Sequence, residues 1–216
     1  MTNSIGHIIG GKVVKEDGKY FEIFNPSSGK CIALATNASK KIIDKTIDNS
    51  VEAFNEWHSY SLAKRASILF EYKVWLENNI DKLAQIICKD LGKVHEDAVG
   101  EIRRGIENVE YACGIGEILK GEFNKNISTS IDSWSEFSPL GVVLGVTPFN
   151  FPAMVPLWMF PLAIAAGNSF ILKPSEKDPL ASMFIVELFN QTKAPKGLLN
   201  LLNGDKDVVN NLIQDK

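Results

Sequence analysis

Between Glu136 and Lys173 lie 36 residues without a single charged side chain. A bilayer-crossing helix needs only about 20 apolar residues, so such a run belongs either in lipid or in the interior of a folded domain. Pro139, Pro148, Pro152, Pro156 and Pro161 argue for the interior. Each removes a backbone N–H, and lipid offers no water to satisfy the carbonyls left over. No basic cluster flanks the run, and we expect no membrane span. Residues 141–146 form a continuous, Val-rich stretch, as expected of a strand covered on both faces. Residues 154–166 then read as an apolar helix ending before Gly167, and residues 169–172 as a second buried strand.

The alternation continues to the end of the chain. Residues 180–191 form an amphipathic helical pattern, residues 197–202 a third strand, and Asp205 is placed to cap another helix. Strand, helix, strand, helix, strand predicts a doubly wound parallel sheet that binds ligands at the carboxyl ends of its strands. Such a sheet, incomplete in 216 residues, is expected to leave its last strand with an unpaired edge.

Upstream the rhythm differs. Residues 8–14 and 20–24 read as short strands joined by a turn. Four helices follow. Ile43, Ile47, Val51 and Phe54 mark the apolar face of the first, and Leu62, Leu69, Tyr72 and Leu76 that of the second. The third spans residues 81–91 and stops at Gly92. The fourth carries Val99, Ile102, Ile106, Val109 and Cys113 at spacings of three and four, which makes Cys113 a packed core thiol. After Gly121 a mixed pattern through Trp134 predicts a two-stranded arm. The expected organisation is residues 1–120 as strands and helices packing on the ligand-binding domain, 121–138 as the arm, and 139–216 as the first half of that doubly wound, Rossmann-like domain.

Charge and cysteine content exclude several classes. The net charge of −3 arises wholly before Ser138 and forms no basic stripe, so nucleic acid is not an expected partner. Cys31, Cys88 and Cys113 form no CxxC, and no secretory leader precedes them, which predicts a reducing, cytoplasmic setting. His7, His58 and His95 share no metal-ligand spacing, so no metal site is expected.

Three places could carry chemistry. Thr147-Pro148-Phe149-Asn150-Phe151-Pro152 closes the first strand of the alternation. There the Asn150 amide could stabilise an oxyanion, or it could simply cap the helix that follows. Lys173-Pro174-Ser175-Glu176-Lys177 closes the second strand. Its Lys and Glu could grip the two hydroxyls of a ribose as donor and acceptor, or form a solvated turn. Arg103 and Arg104 on the fourth helix could hold a carboxylate through paired hydrogen bonds, or point to solvent near Glu107.

Taken together, GVVLGVTPFNFPAMVPLWMFPLAIAAGNSFILKPSE strongly resembles the aldehyde dehydrogenase superfamily. PFNFPAMVPLWMFPLAIAAGN, RRGIENVEYACGI followed by LKGE, and GLLNLLNGDKDVV are similar to its CoA-acylating methylmalonate-semialdehyde branch. The resemblance implies an oxyanion role for Asn150 and an aldehyde-pocket wall in Phe151. It implies cofactor contacts for Thr147, Pro148 and Phe149 and for Lys173, Pro174, Ser175, Glu176 and Lys177. Arg104, directly before Gly105, becomes the reader of the substrate carboxylate. NAD is the implied cofactor, CoA the co-substrate and a small aldehyde the substrate, in a homo-oligomer built partly on the arm. The same resemblance places the nucleophilic Cys, the general-base Glu and a glycine-rich turn beyond residue 216. The expectation is therefore an amino-terminal part, inactive alone, whose remainder lies on the same chain or a separate one. The alternatives are a non-catalytic nucleotide-binding or assembly fragment, and a different branch acting on another carboxylated aldehyde.

Overall fold

The computed structural model describes residues 3–214. The chain begins with β1 (Asn3–Ile5), β2 (His7–Ile9) and β3 (Lys12–Val14), then a hairpin of β4 (Tyr20–Asn25) and β5 (Lys30–Thr36). The run over residues 8–14, expected as one strand, is split. Gly10 and Gly11 take φ of 58° and 74° between β2 and β3, the pair of left-handed residues that a two-residue type I′ turn demands.

Four long helices follow: α1 (Lys40–Trp57), α2 (Leu62–Glu77), α3 (Ile80–Asp90) and α4 (His95–Cys113), with a short α5 (Ile115–Ile118) behind them. Ser39 and Ser61 cap α1 and α2 through their hydroxyls. The buried face of α1 is offset from the expected stripe. Ile42, Ile43, Thr46, Ser50, Ala53 and Trp57 are buried, whereas Val51 is exposed. Thr46 and Ser50 tolerate burial because each hydroxyl donates to the carbonyl four residues back, at 2.7 and 2.9 Å. On α4 the expected stripe holds and Cys113 is buried in the core, where burial pushes its thiol up to about 11.

The arm is β6 (Phe123–Ser128) paired antiparallel with β7 (Ile131–Trp134). The alternating region then gives β8 (Val142–Val146), α6 (Met154–Ala165), β9 (Ser169–Lys173), α7 (Leu180–Phe189), β10 (Leu199–Leu201) and α8 (Lys206–Gln214). Asp205 sits just ahead of α8, and its side chain accepts the Asp207 N–H at 3.0 Å. Strands β8, β9 and β10 run parallel, as expected.

The sheet does not end where the sequence suggested. Its order is β3-β2-β10-β9-β8, with β2 antiparallel to β10 through Leu201 and Ile8. The amino-terminal hairpin thus covers the far edge of the last strand, and among the described residues the strands left with one unpaired edge are β3 and β8. His7, fully buried, locks this junction. Its Nδ1 accepts the Asn203 N–H at 3.1 Å, and its Nε2 faces Glu16 at 3.4 Å. Burial outweighs Glu16 and holds the His7 pKa below its ordinary value.

Helices α6 and α7 cover one face of the sheet, with α2, α3 and α4 packed outside them, while α1 and α8 cover the other. Trp57, Tyr72, Phe160, Phe170 and Phe189 fill the larger core. Phe160 meets Tyr72, Phe189 and Phe170 at centroid distances of 5.8, 6.0 and 6.2 Å, within the range of favourable tilted pairs. The polar tips are satisfied: Trp57 Nε1 donates to Ile164 O at 2.7 Å and the Tyr72 hydroxyl to Ile185 O at 3.1 Å. Among the described residues no helix is long and apolar enough to cross a membrane.

Candidate active and cofactor site

The carboxyl ends of β8 and β9 lie side by side, with Val146 in register with Lys173. The Thr147 N–H donates to the Lys173 carbonyl at 3.1 Å and so joins the two predicted segments at their first residues. Thr147 is buried, and its hydroxyl has no hydrogen-bond partner. Lys173 is also buried, with its ammonium aimed up to Glu176 at 3.2 Å. Burial works to raise Glu176, but hydrogen bonds from its own N–H and from Lys173, with the charges of Lys173 and Lys177, hold it below its ordinary value. Glu176 therefore stays ionised at neutral pH. A fixed donor beside a fixed acceptor at the end of a parallel strand suits the two neighbouring hydroxyls of a ribose. Ser175 braces the turn, its hydroxyl accepting the Lys177 N–H at 3.0 Å, and Pro174 is buried behind it.

From Thr147 the chain crosses Pro148, Phe149 and Asn150, all exposed, before Phe151. Asn150 does not cap α6. The helix starts after Ala153 without a local side-chain cap. Glu101 of α4, wholly buried, takes that place. Its Oε1 accepts the N–H groups of Ala153 and Met154 at 3.0 and 3.1 Å, and its Oε2 pairs with Lys93. The Lys93 ammonium in turn sits 4.0 Å over the Phe151 ring. The Ser182 hydroxyl of α7 donates to the Pro152 carbonyl at 2.7 Å.

Phe149 and Lys177 face each other, ammonium to ring centroid 4.7 Å. With Glu22, Phe24, Pro26, Asp90, Leu91 and Asp178 they line a cavity of about 250 Å³. Asp90 Oδ2 accepts the Leu180 N–H at 2.8 Å at the start of α7, yet burial pushes its carboxyl up to about 7. Asp178 reaches about 8, first through burial and then through the negative charges of Asp90, Glu101 and Glu176, against the lowering influence of Ser175.

Arg104 is separate from these groups. It is exposed, its Nε donates to Gly100 O at 3.4 Å, and it lines an open pocket of about 350 Å³ with Glu107, Asn108 and Trp158. That pocket opens on the seam between α4 and α6. Gly105 lets the helices approach there: a Cβ on it would stand 2.6 Å from Leu157 Cδ1. The structure therefore unites Thr147, Lys173 and Glu176, pairs Phe149 with Lys177, and puts Arg104 of α4 in a pocket with Trp158, which lies about one helical turn along α6 from Met154. Glu101, Lys93 and Ser182 were not anticipated from the sequence. Glu101 did leave a trace there, since Ala98 and Gly105, three residues before and four after, mark the face on which a neighbour comes close.

Residues 13–216 match the sequence profile of the aldehyde dehydrogenase family. The chain belongs to this family. The aldehyde dehydrogenase chain is 51% identical over 211 residues to malonate-semialdehyde dehydrogenase of Pseudomonas aeruginosa, covering 98% of this chain and 42% of that protein. Among solved structures it is similar to methylmalonate-semialdehyde dehydrogenase (DddC) from Oceanimonas doudoroffii, with a TM-score of 0.97 and 47% identity, over 100% of this chain and 44% of the other. A putative methylmalonate-semialdehyde dehydrogenase from Sinorhizobium meliloti, solved with NAD, superposes with a TM-score of 0.96 at 37% identity, again over 100% and 44%. The aldehyde dehydrogenase chain spans less than half the length of these proteins.

Proposed function

We propose that this chain supplies the cofactor- and carboxylate-binding portion of an NAD-dependent, CoA-acylating dehydrogenase for malonate or methylmalonate semialdehyde. The observation that carries the reading is the Asn150 amide, exposed beside the strand ends and free of helix-capping duty. An N–H donor held there suits the oxygen of an aldehyde that gains negative charge as a nucleophile adds to it. Phe151 walls the aldehyde pocket. Lys173 and Glu176 hold the adenosine ribose of NAD, with Thr147, Pro148, Phe149, Pro174, Ser175 and Lys177 shaping the surrounding loops. NAD, when bound, accepts the hydride released from the tetrahedral adduct. Arg104, a guanidinium in an open pocket, receives the substrate carboxylate.

The names of the similar proteins support a carboxylated C3 or C4 semialdehyde, and the solved NAD complex supports the cofactor. Cys113 is buried in the α4 stripe, while Cys31 lies in β5 and Cys88 in α3, all remote from Asn150 in sequence and element. The 216 residues alone are therefore expected to make no NADH. CoA as acyl acceptor and association through the arm, or with a chain carrying the remainder, complete the reading.

The test is NADH formation by the full natural protein from NAD, CoA and malonate semialdehyde. Lys173→Met should raise KM for NAD about tenfold, the loss of one charge-assisted contact of roughly 1.4 kcal/mol. Arg104→Leu should raise KM for malonate semialdehyde at least as much and leave KM for propanal unchanged. Equal effects of Arg104→Leu on both aldehydes would remove the carboxylate role, and NADH formation by the 216 residues alone would remove the reading of an incomplete site.

A further inference from the structure

We infer that Glu101 is a positioning residue that keeps the Asn150 amide available by capping α6 in its place. The inference rests on the oxyanion role proposed for Asn150 and adds to it the device that makes the role attainable. The sequence directly ahead of α6 holds one strong capping side chain, Asn150, and a helix whose first N–H groups lack partners draws such an amide inward. In this chain those N–H groups are already taken. Glu101 reaches across from α4 and accepts from Ala153 and Met154 with one oxygen. A carboxylate with no exposure to water is costly, and two things offset that cost. One is the positive amino-terminal end of α6, and the other is Lys93 on the second oxygen.

The same ammonium lies against the Phe151 ring, so the residue after Asn150 is held from α4's side as well. At the other end of the loop Thr147 is tied to Lys173, and Ser182 fixes the Pro152 carbonyl. Asn150 is left as the polar member of the loop whose side chain is exposed and makes no hydrogen bond among the described residues. A helix cap needs only an acceptor, which Asn150 could provide without help. Supplying that acceptor from another helix, as a buried ion pair, frees the amide for an external oxygen.

A double-mutant cycle in the full natural protein decides it. Asn150→Ala should lower kcat about 100-fold, as loss of one oxyanion donor does. Glu101→Met fills the same volume without an acceptor and should lower kcat at least tenfold, with KM for NAD within twofold of wild type. The Glu101→Met/Asn150→Ala double variant should be no slower than Asn150→Ala alone, because the amide that Glu101 protects is already gone. Losses that multiply in the double variant would assign Glu101 a purely structural role and overturn the inference while the oxyanion reading stands. An unchanged kcat in Asn150→Ala would overturn both. Glu101→Gln, which keeps an acceptor oxygen and should fold even if Glu101→Met does not, is expected within threefold of wild-type kcat. A loss in Glu101→Gln as large as in Asn150→Ala would show that charge, not capping, is what matters, and would overturn the inference independently.

Discussion

The most unusual side chains in this molecule are carboxylates out of reach of water. Glu101 is fully compensated by two N–H groups and an ammonium, whereas Asp178 is not: neither of its oxygens has a hydrogen-bond partner. Its proton is held until about pH 8 in the folded chain, against an ordinary value of 3.8. Between those values the unfolded state binds fewer protons than the folded one, so stability falls as pH rises from about 4 to about 8. Asp90, pushed to about 7, acts in the same direction. Asp178→Asn removes one of the two ionisations. The variant should melt roughly 5 °C above wild type at pH 8, and the gap should narrow toward pH 5; thermal melts across that range check it, and an equal melting point at pH 8 would refute it. At this scale the sequence was informative about residue type and silent about burial. Lys173 and Glu176 were readable as a donor–acceptor pair because they lie three positions apart across a turn. Glu101 was not readable as a cap, because its partners are more than fifty residues away.

Elements followed the hydrophobic periods closely, since period reflects which face meets the core. The arm, the three parallel strands and all four long helices lie where the pattern put them. Departures came where a neighbour overrode local pattern. On α1 the sheet selected a face containing Thr46 and Ser50, and two back-bonded hydroxyls made that face tolerable. In α4 two glycines of the same helix behave oppositely for the same kind of reason. Gly100 faces open space, whereas Gly105 abuts Leu157. Gly100→Ala should stabilise the protein by roughly 0.5–1 kcal/mol through helix propensity alone. Gly105→Val should destabilise it by about 2 kcal/mol, because α6 must move to admit the side chain. Urea denaturation of the two variants tests the contrast, and a stabilising Gly105→Val would show that the α4–α6 seam is looser than its geometry implies. Since Arg104 opens on that seam, Gly105→Val should also disturb the Arg104 pocket.

At the scale of the whole molecule, the arm and the sheet edge dominate. Phe123, Ile127, Ile131 and Trp134 are all more than half exposed on β6 and β7, a concentration of apolar surface that association would cover. Association through the arm predicts that Ile127→Lys with Trp134→Lys lowers the mass of the full natural protein in sedimentation velocity; an unchanged mass would refute association through the arm. The chain by itself determined its four long helices, its strand–helix alternation with a parallel sheet and its membership of the aldehyde dehydrogenase family, because periodicity and short motifs are local properties of the chain. It also offered the candidates proposed above for binding a ribose or a carboxylate. Only the tertiary structure decided that β2 closes the edge of β10, that Glu101 rather than Asn150 caps α6, and that Asp90 and Asp178 are kept from water. Each of those depends on groups brought together from distant parts of the chain, and burial, pairing and proton affinity arise from that proximity rather than from any one residue's identity.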